Sequence, residues 1–352
     1  MQVNKLGNTG IEVSVIGVGM EHLAEAPGNI APVLHAAIDA GINYIDLMIW
    51  RPEVMRATGE ALEGQRDKVI LAGHLGVGEV NGQYRRTRDV KECKELFDEM
   101  LAWLCTDHVD VLHITYLDVE NDYENVIAPG GVMELAHRLK REGKTRLIGL
   151  SGHNPKTTMR AIRDGNLDVT MHSINLATDA DQMKRELMQL CVERGVGLVV
   201  MKTYAGGELL FGDPSVSPSA CINYVLAQSG VSTALVGIRS VAELQAALAY
   251  FTASDEEKDY SRILGKLQSQ EEGTCTYCSH CLPCPQIIDI PAVFRLLATA
   301  RRYGVFSDLR DDYNMLPAKA SNCIGCNVCA ERCPFGVDVV AEIQEVARLF
   351  EM

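Results

Sequence analysis

Over the first two thirds of the chain, short apolar runs of strand length alternate with longer amphipathic segments. The runs are VSVIGVG (13–19), YIDLM (44–48), VILAGH (69–74), VDVLHITY (109–116), RLIGLSGH (146–153), VTMHSINL (169–176), GLVVMKTY (197–204) and TALVGIRS (233–240). They read as strands. Between them, segments such as DVKECKELFDEMLAWL (89–104), DADQMKRELMQLCVERG (179–195) and SVAELQAALAYF (240–251) carry apolar residues at helical spacing, and several end in glycine. Eight strands each followed by a helix are the arithmetic of a (β/α)8 TIM barrel, an α/β fold whose active site lies at the C-terminal ends of the strands. A doubly wound sheet is the alternative. No G-x-G-x-x-G opens a helix after the first strand, and GVGM at 17–20 lacks the third glycine.

The barrel is expected over residues 1–252. The charged stretch 253–272 reads as a helical linker, and 273–352 as a small, mainly helical ferredoxin-like domain with a helical insert at 286–322 that contains the amphipathic PAVFRLLATARRYG. A chain of 352 residues suits one large barrel with an appendage. Its 33 Lys and Arg against 47 Asp and Glu leave a net charge of −14, which argues against nucleic acid as a partner. The N-terminal MQVNKLGNTG lacks a basic flank and apolar core, and no run approaches membrane-spanning length, so a cytoplasmic protein without a membrane partner is expected.

Four of the 12 cysteines, Cys93, Cys105, Cys191 and Cys221, are scattered and read as ordinary small thiols. The other eight crowd into 275–333. CTYCSHCLPCP spaces Cys275, Cys278, Cys281 and Cys284 as C-x2-C-x2-C-x2-C-P, and CIGCNVCAERCP spaces Cys323, Cys326, Cys329 and Cys333 as C-x2-C-x2-C-x3-C-P. In two-cluster ferredoxins three cysteines of a run hold one cluster and the remote fourth, before proline, crosses to the other. Cys275, Cys278, Cys281 and Cys333 are therefore expected to hold one [4Fe-4S] cluster, and Cys323, Cys326, Cys329 and Cys284 the second. Structural zinc is the competing use of such pairs, but it calls for two pairs per ion rather than a run of four ending in Cys-Pro. Two such clusters point to an anaerobic or low-oxygen source.

KLGNTGIEVSVIGVGM, GINYID, IGLSGHN, MKTYAGG and ALVGIRSVAEL, in that order, resemble the aldo/keto reductases, and the closing cysteine runs resemble the branch with a C-terminal ferredoxin-type domain. The resemblance implies NADP(H) bound at the strand C-termini and an Asp, Tyr, Lys, His tetrad that reduces carbonyls. Carried onto this sequence, the aspartate is Asp46. The tyrosine position falls at Trp50 or Arg51, the lysine at His74, and the histidine at Thr115, with His113 and Tyr116 beside it. Ser151 matches the serine that touches the carboxamide. Met171 and Ile174 stand where a glutamine and a stacking aromatic are usual, Arg239 and Ser240 are placed to hold a 2′-phosphate, and Ala246 and Ala247 replace a polar pair.

Strand ends nevertheless carry Glu21, His22, Asp46, His74, Tyr116, His153, His172, Asn175, Lys202 and Tyr204. Single histidines at a barrel rim are ordinary; several at strand C-termini suggest a rebuilt acid/base site. Asp46, His74, Tyr116, His153 and Lys202 are the catalytic candidates, and Ser151, Asn175, Arg239 and Ser240 the cofactor contacts. A mononuclear metal site of His, Asp and Glu is a sharper version of the same reading. Clusters pass single electrons whereas nicotinamide passes hydride, so a flavin would be one way to join them. Three functions follow: an oxidoreductase acting on a small-molecule substrate through the clusters, an electron-transfer subunit serving a redox partner, or a redox-neutral enzyme with structural clusters.

Overall fold

A computed structural model describes residues 1–48, 51–178, 181–212, 216–264, 273–275, 277 and 279–351. The chain forms two compact units, Met1–Val77 with Arg86–Ser269, and Gly78–Arg85 with Gln270–Met352. Residues 78–85, which the sequence reading left inside the barrel stretch, are thus grouped with the cysteine-rich unit.

In the first unit, β1 (Val3–Lys5) and β2 (Glu12–Ser14) pair antiparallel. The eight strands β3 (Ile16–Gly19), β4 (Tyr44–Asp46), β5 (Ile70–Leu75), β8 (Val109–Ile114), β9 (Thr145–Gly152), β10 (Val169–Ser173), β11 (Gly197–Met201) and β12 (Val231–Gly237) close into a barrel with parallel neighbours. Between β5 and β8 a two-stranded sheet forms from β6 (Val77–Val80) and β7 (Gln83–Arg86), turning at Asn81 and Gly82 with φ 52° and 74°. Asn-Gly suits the double positive-φ turn of a tight hairpin. The run 13–19, read as one strand, is broken at Val15. Ser14 explains the break, because its Oγ donates to Ile16 O at 2.7 Å while its N–H is taken by Asn43 Oδ1 at 2.7 Å.

Side-chain alternation places the barrel's chemistry. Leu6, Ile11 and Val13 join Tyr44, Ile70, Ala72, Val111, Leu147, Val169, Met171, Val199 and Leu235 in one buried apolar cluster near the strand starts. Stepping two residues along each strand keeps the same face. From Tyr44 that step reaches Asp46, from Ala72 His74, from Val111 His113 and then Thr115, and from Leu147 Gly149 and then Ser151. The interior therefore changes from apolar to polar toward the C-terminal ends.

Surrounding helices begin with side-chain caps: Asp89 accepts from Glu92 N ahead of Val90–Trp103, and Asp181 from Met183 N ahead of Gln182–Arg194, which ends at Gly195 with φ 67°. These satisfy otherwise orphaned helix-end groups.

The second unit buries Ile288, Ile290, Val293, Leu297, Ile343, Val346 and Phe350 in its own core, drawn mainly from helices Ile290–Tyr303 and Val339–Phe350. Arg301 ties them on the outside through Glu342 and Glu345. Among the described residues no helix is long and apolar enough to cross a membrane.

Candidate functional site

His74 Nε2 and Asp46 Oδ1 are 2.8 Å apart, and His74 Nδ1 is 2.9 Å from Thr115 Oγ1. All three residues are buried. A carboxylate only accepts, so His74 donates from Nε2 to Asp46 and Nδ1 accepts from the Thr115 hydroxyl. With Nε2–H directed at Asp46, a neutral ring keeps its lone pair at Nδ1, facing Thr115. One step further into the barrel, the His113 ring centroid lies 5.3 Å from that of His74, and His113 Nε2 is 3.4 Å from Tyr44 Oη. Gly149 leaves the space: a Cβ there would stand 2.4 Å from His113 Nδ1. Burial first, then the neighbouring His74 imidazole, pushes the His113 pKa well below the ordinary imidazole value, so this ring is a neutral, hydrogen-bonding group.

A second histidine–carboxylate pair sits at the ends of β8 and β9. His153 Nδ1 is 3.1 Å from Asp118 Oδ2, while Asp118 Oδ1 accepts from the backbone N–H of His153 and, at 2.9 Å, of Asn154. The Tyr116 ring lies 5.4 Å from His153, and Tyr116 itself has φ 52°. Its carbonyl accepts from Arg86 at 3.1 Å, and its N–H donates to Ser151 Oγ at 3.4 Å. Left-handed backbone at a non-glycine residue costs about 1–2 kcal/mol, and such strain gathers at functional sites. Lys202, φ 58°, shares that conformation, and its carbonyl accepts from Asn175 Nδ2 at 3.0 Å. His172 alternates in β10 with the core residue Met171; it is fully buried, with Lys184, His153 and Asp118 as its charged neighbours.

The two cysteine motifs follow matching paths. Tyr277 and Ser279 (φ 54° and 62°) in the first motif and Gly325 and Asn327 (φ 67° and 59°) in the second take left-handed backbone at equivalent places. Ile287 and Gly336 do so at the same distance beyond each Cys-Pro step, with φ 59° and 66°. Asp289 and Asp338, again equivalent, cap the following helices by accepting from Ala292 N and Ala341 N at 3.1 Å. Repeated reversals between cysteines turn successive thiols toward one centre.

Cys284, Cys323, Cys326 and Cys329 line one small cavity, walled also by Ile290, Val340 and Ile343. Cys275 and Cys333 line another, with Phe294, Val337 and Val339. Cys281 borders both, and Cys278 lies outside the described residues. Each cavity thus mixes cysteines from both motifs. Burial, with Cys323 and Cys326 adding to it, pushes the Cys329 thiol up. Crowded thiols with a costly negative charge in apolar surroundings are a donor set that iron would relieve, which fits [4Fe-4S] clusters.

The sequence model of the aldo/keto reductase family matches residues 15–213, more than half of the chain. The chain belongs to the aldo/keto reductase family. That of a 4Fe-4S dicluster domain matches residues 274–338, which favours iron-sulfur over zinc. Among curated relatives, L-galactose dehydrogenase of Arabidopsis thaliana is 27% identical over 293 residues, covering 72% of this chain and 88% of its own. An uncharacterized oxidoreductase of Bacillus subtilis is 26% identical over 213 residues, covering 59% and 67%. The fold matches that of an aldo-keto reductase from Bacillus halodurans in its holo form, with TM-score 0.64, 22% identity, and coverage of 76% of this chain and 97% of that one. The protein is an aldo/keto-reductase-type oxidoreductase that carries a 4Fe-4S dicluster domain.

Against the family pattern, His74 occupies the lysine position and contacts Asp46 directly, and Thr115 occupies the histidine position; of the two residues at the tyrosine position, Trp50 lies outside the described residues and Arg51 precedes the helix Pro52–Ala61. Arg239 and Ser240, expected at a 2′-phosphate, also bond within the protein. Arg239 Nε donates to Glu25 Oε2 at 3.0 Å, and Ser240 Oγ accepts from Glu243 N at 3.2 Å to cap the helix Val241–Leu248. Burial pushes Glu25 up, but hydrogen bonds from His22 and Arg239 outweigh it and hold its pKa at about 2. Arg239 and Glu25 form a largely exposed ion pair, and Ser240 caps a helix. Asp118 was missed in the sequence, although LDVE follows a strand; Thr115, marked only as a departure, proves to be a partner of His74.

Proposed function

We propose that the protein is an iron-sulfur oxidoreductase in which Asp46, His74 and Thr115 handle protons for a small-molecule substrate at the barrel mouth. The observation that carries this reading is the 2.8 Å contact between Asp46 and His74, buried on adjacent strands at the C-terminal end of the barrel. Two [4Fe-4S] clusters, one on Cys275, Cys278, Cys281 and Cys333 and one on Cys323, Cys326, Cys329 and Cys284, supply single electrons when bound. The mixed cysteine lining of the two cavities supports that crosswise assignment.

Asp46 holds Nε2–H, so a proton accepted at Nδ1 turns the Thr115 hydroxyl from donor into acceptor and frees its hydrogen. Thr115 is then the group that passes a proton between the ring and the mouth. Tyr116 and His153, with Asp118 orienting the imidazole, supply a second proton-bearing pair, which a two-electron conversion needs. An external redox protein is the fitting electron source: Cys326 is exposed and the neighbouring Ile324 is 63% exposed, leaving an apolar, accessible edge beside the thiols.

The test is cluster-coupled turnover. Anaerobic protein should convert substrate with a reduced dye donor, and variants that silence either cluster should lose that activity. Fast carbonyl reduction by NADPH alone, independent of the clusters, would overturn the proposal.

A further inference from the structure

We infer that Gln83, in the β6–β7 hairpin, is a positioning residue for the cluster held through Cys284. The inference rests on the crosswise ligand assignment above. Gln83 Oε1 accepts from Cys284 N at 3.0 Å, and Gln83 Nε2 donates to Cys284 O at 3.0 Å. Both polar ends of one side-chain amide are spent on the two backbone groups of one cysteine. Gln83 is only 8% exposed, and burying a primary amide is unfavourable unless its hydrogen bonds are made.

The geometry singles out this cysteine. Cys323, Cys326 and Cys329 come from one short loop and fix one another, whereas Cys284 reaches the same cavity from the other motif. Its sulfur is placed by whatever holds its backbone. Gln83 supplies that hold through a pair of bonds, which resists both sliding and rotation. It also takes up the Cys284 N–H, so that this dipole is not offered to a cluster sulfur; hydrogen bonds to the sulfurs are among the settings of cluster potential. The hairpin follows β5 in sequence but forms its own two-stranded sheet, and Gln83 is grouped with the cysteine-rich unit.

The test uses the full chain, prepared anaerobically with both clusters. Cys326→Ser and Cys275→Ser give reference spectra that tell the two clusters apart, and Cys284→Ser shows which cluster that residue serves. Gln83→Leu should change the electron paramagnetic resonance signal and reduction potential of the Cys284 cluster alone. It should also release about four of the about eight iron to a chelator roughly tenfold faster. Gln83→Glu, which keeps an acceptor for Cys284 N but loses the donor, should fall between. Equal loss of both clusters would mean that Gln83 only stabilises the unit, and an unchanged signal, potential and iron release would mean that it does nothing for the cluster; either overturns the inference. If Cys284→Ser alters the Cys275 cluster instead, the ligand assignment fails and the role of Gln83 with it.

Discussion

Thr115 Oγ1 lies 2.9 Å from Nδ1 of His74, whose other nitrogen is held by Asp46. Replacing Thr115 by Val keeps the shape but strands a buried ring nitrogen, which costs about 1–3 kcal/mol and removes the proton's way out of the ring. Thr115→Val should lower turnover by about tenfold to a hundredfold with cluster content unchanged, and Thr115→Ser should retain most of it. Steady-state rates normalised to iron content check this. Equal activity in Val and Ser variants would remove Thr115 from the proton route.

Protein purified without oxygen should contain about eight iron and about eight sulfide per chain, be brown, and bleach on reduction. Stoichiometric zinc with little sulfide in the same preparation would restore the zinc alternative.

Cys333 lines the cavity of Cys275 and Cys281 rather than that of its own motif. Cys333→Ser should therefore disturb the cluster of the first motif and leave the one bordered by Cys323, Cys326 and Cys329 intact. Spectra of the half-reduced variant distinguish the two outcomes.

Acid should loosen the barrel through its buried histidines. His172 is fully buried, neither ring nitrogen meets a well-placed partner, and burial, followed by the charge of Lys184, holds its pKa at about 3. The unfolded chain takes up that proton near 6.5. Below that value the unfolded state binds more protons, so stability present at neutral pH is lost as pH falls from about 6.5 toward 3, at up to about 1.4 kcal/mol per pH unit. Denaturant midpoints should drop between about pH 7 and pH 5, and less steeply in His172→Leu. Parallel pH profiles for the two proteins would contradict this.

The eight barrel strands were legible because buried parallel strands read as apolar runs, and seven of the eight runs correspond to single strands. The exception, 13–19, fails at Ser14, whose side chain competes with backbone pairing in a way that no hydropathy pattern records. The hairpin at 77–86 carried a readable Asn-Gly turn, but its grouping with residues 270–352 depends on contacts more than 180 residues away in sequence. Asp46 and His74 were legible from strand-end position alone. Asp118 was not, because the residue that it orients, His153, belongs to the following strand. The ion pair of Arg239 with Glu25 was not legible, because the two lie 214 residues apart in sequence.

The most direct test of the barrel site is turnover of cluster-loaded His74→Ala, driven by the physiological donor or a dye. If Asp46 and His74 are the proton-handling pair, activity should fall by about a hundredfold to ten-thousandfold while iron content and fold stay intact, and His74→Lys should not restore it. Undiminished turnover in His74→Ala, or full recovery in His74→Lys, would contradict this account and return the site to the chemistry of the family's lysine.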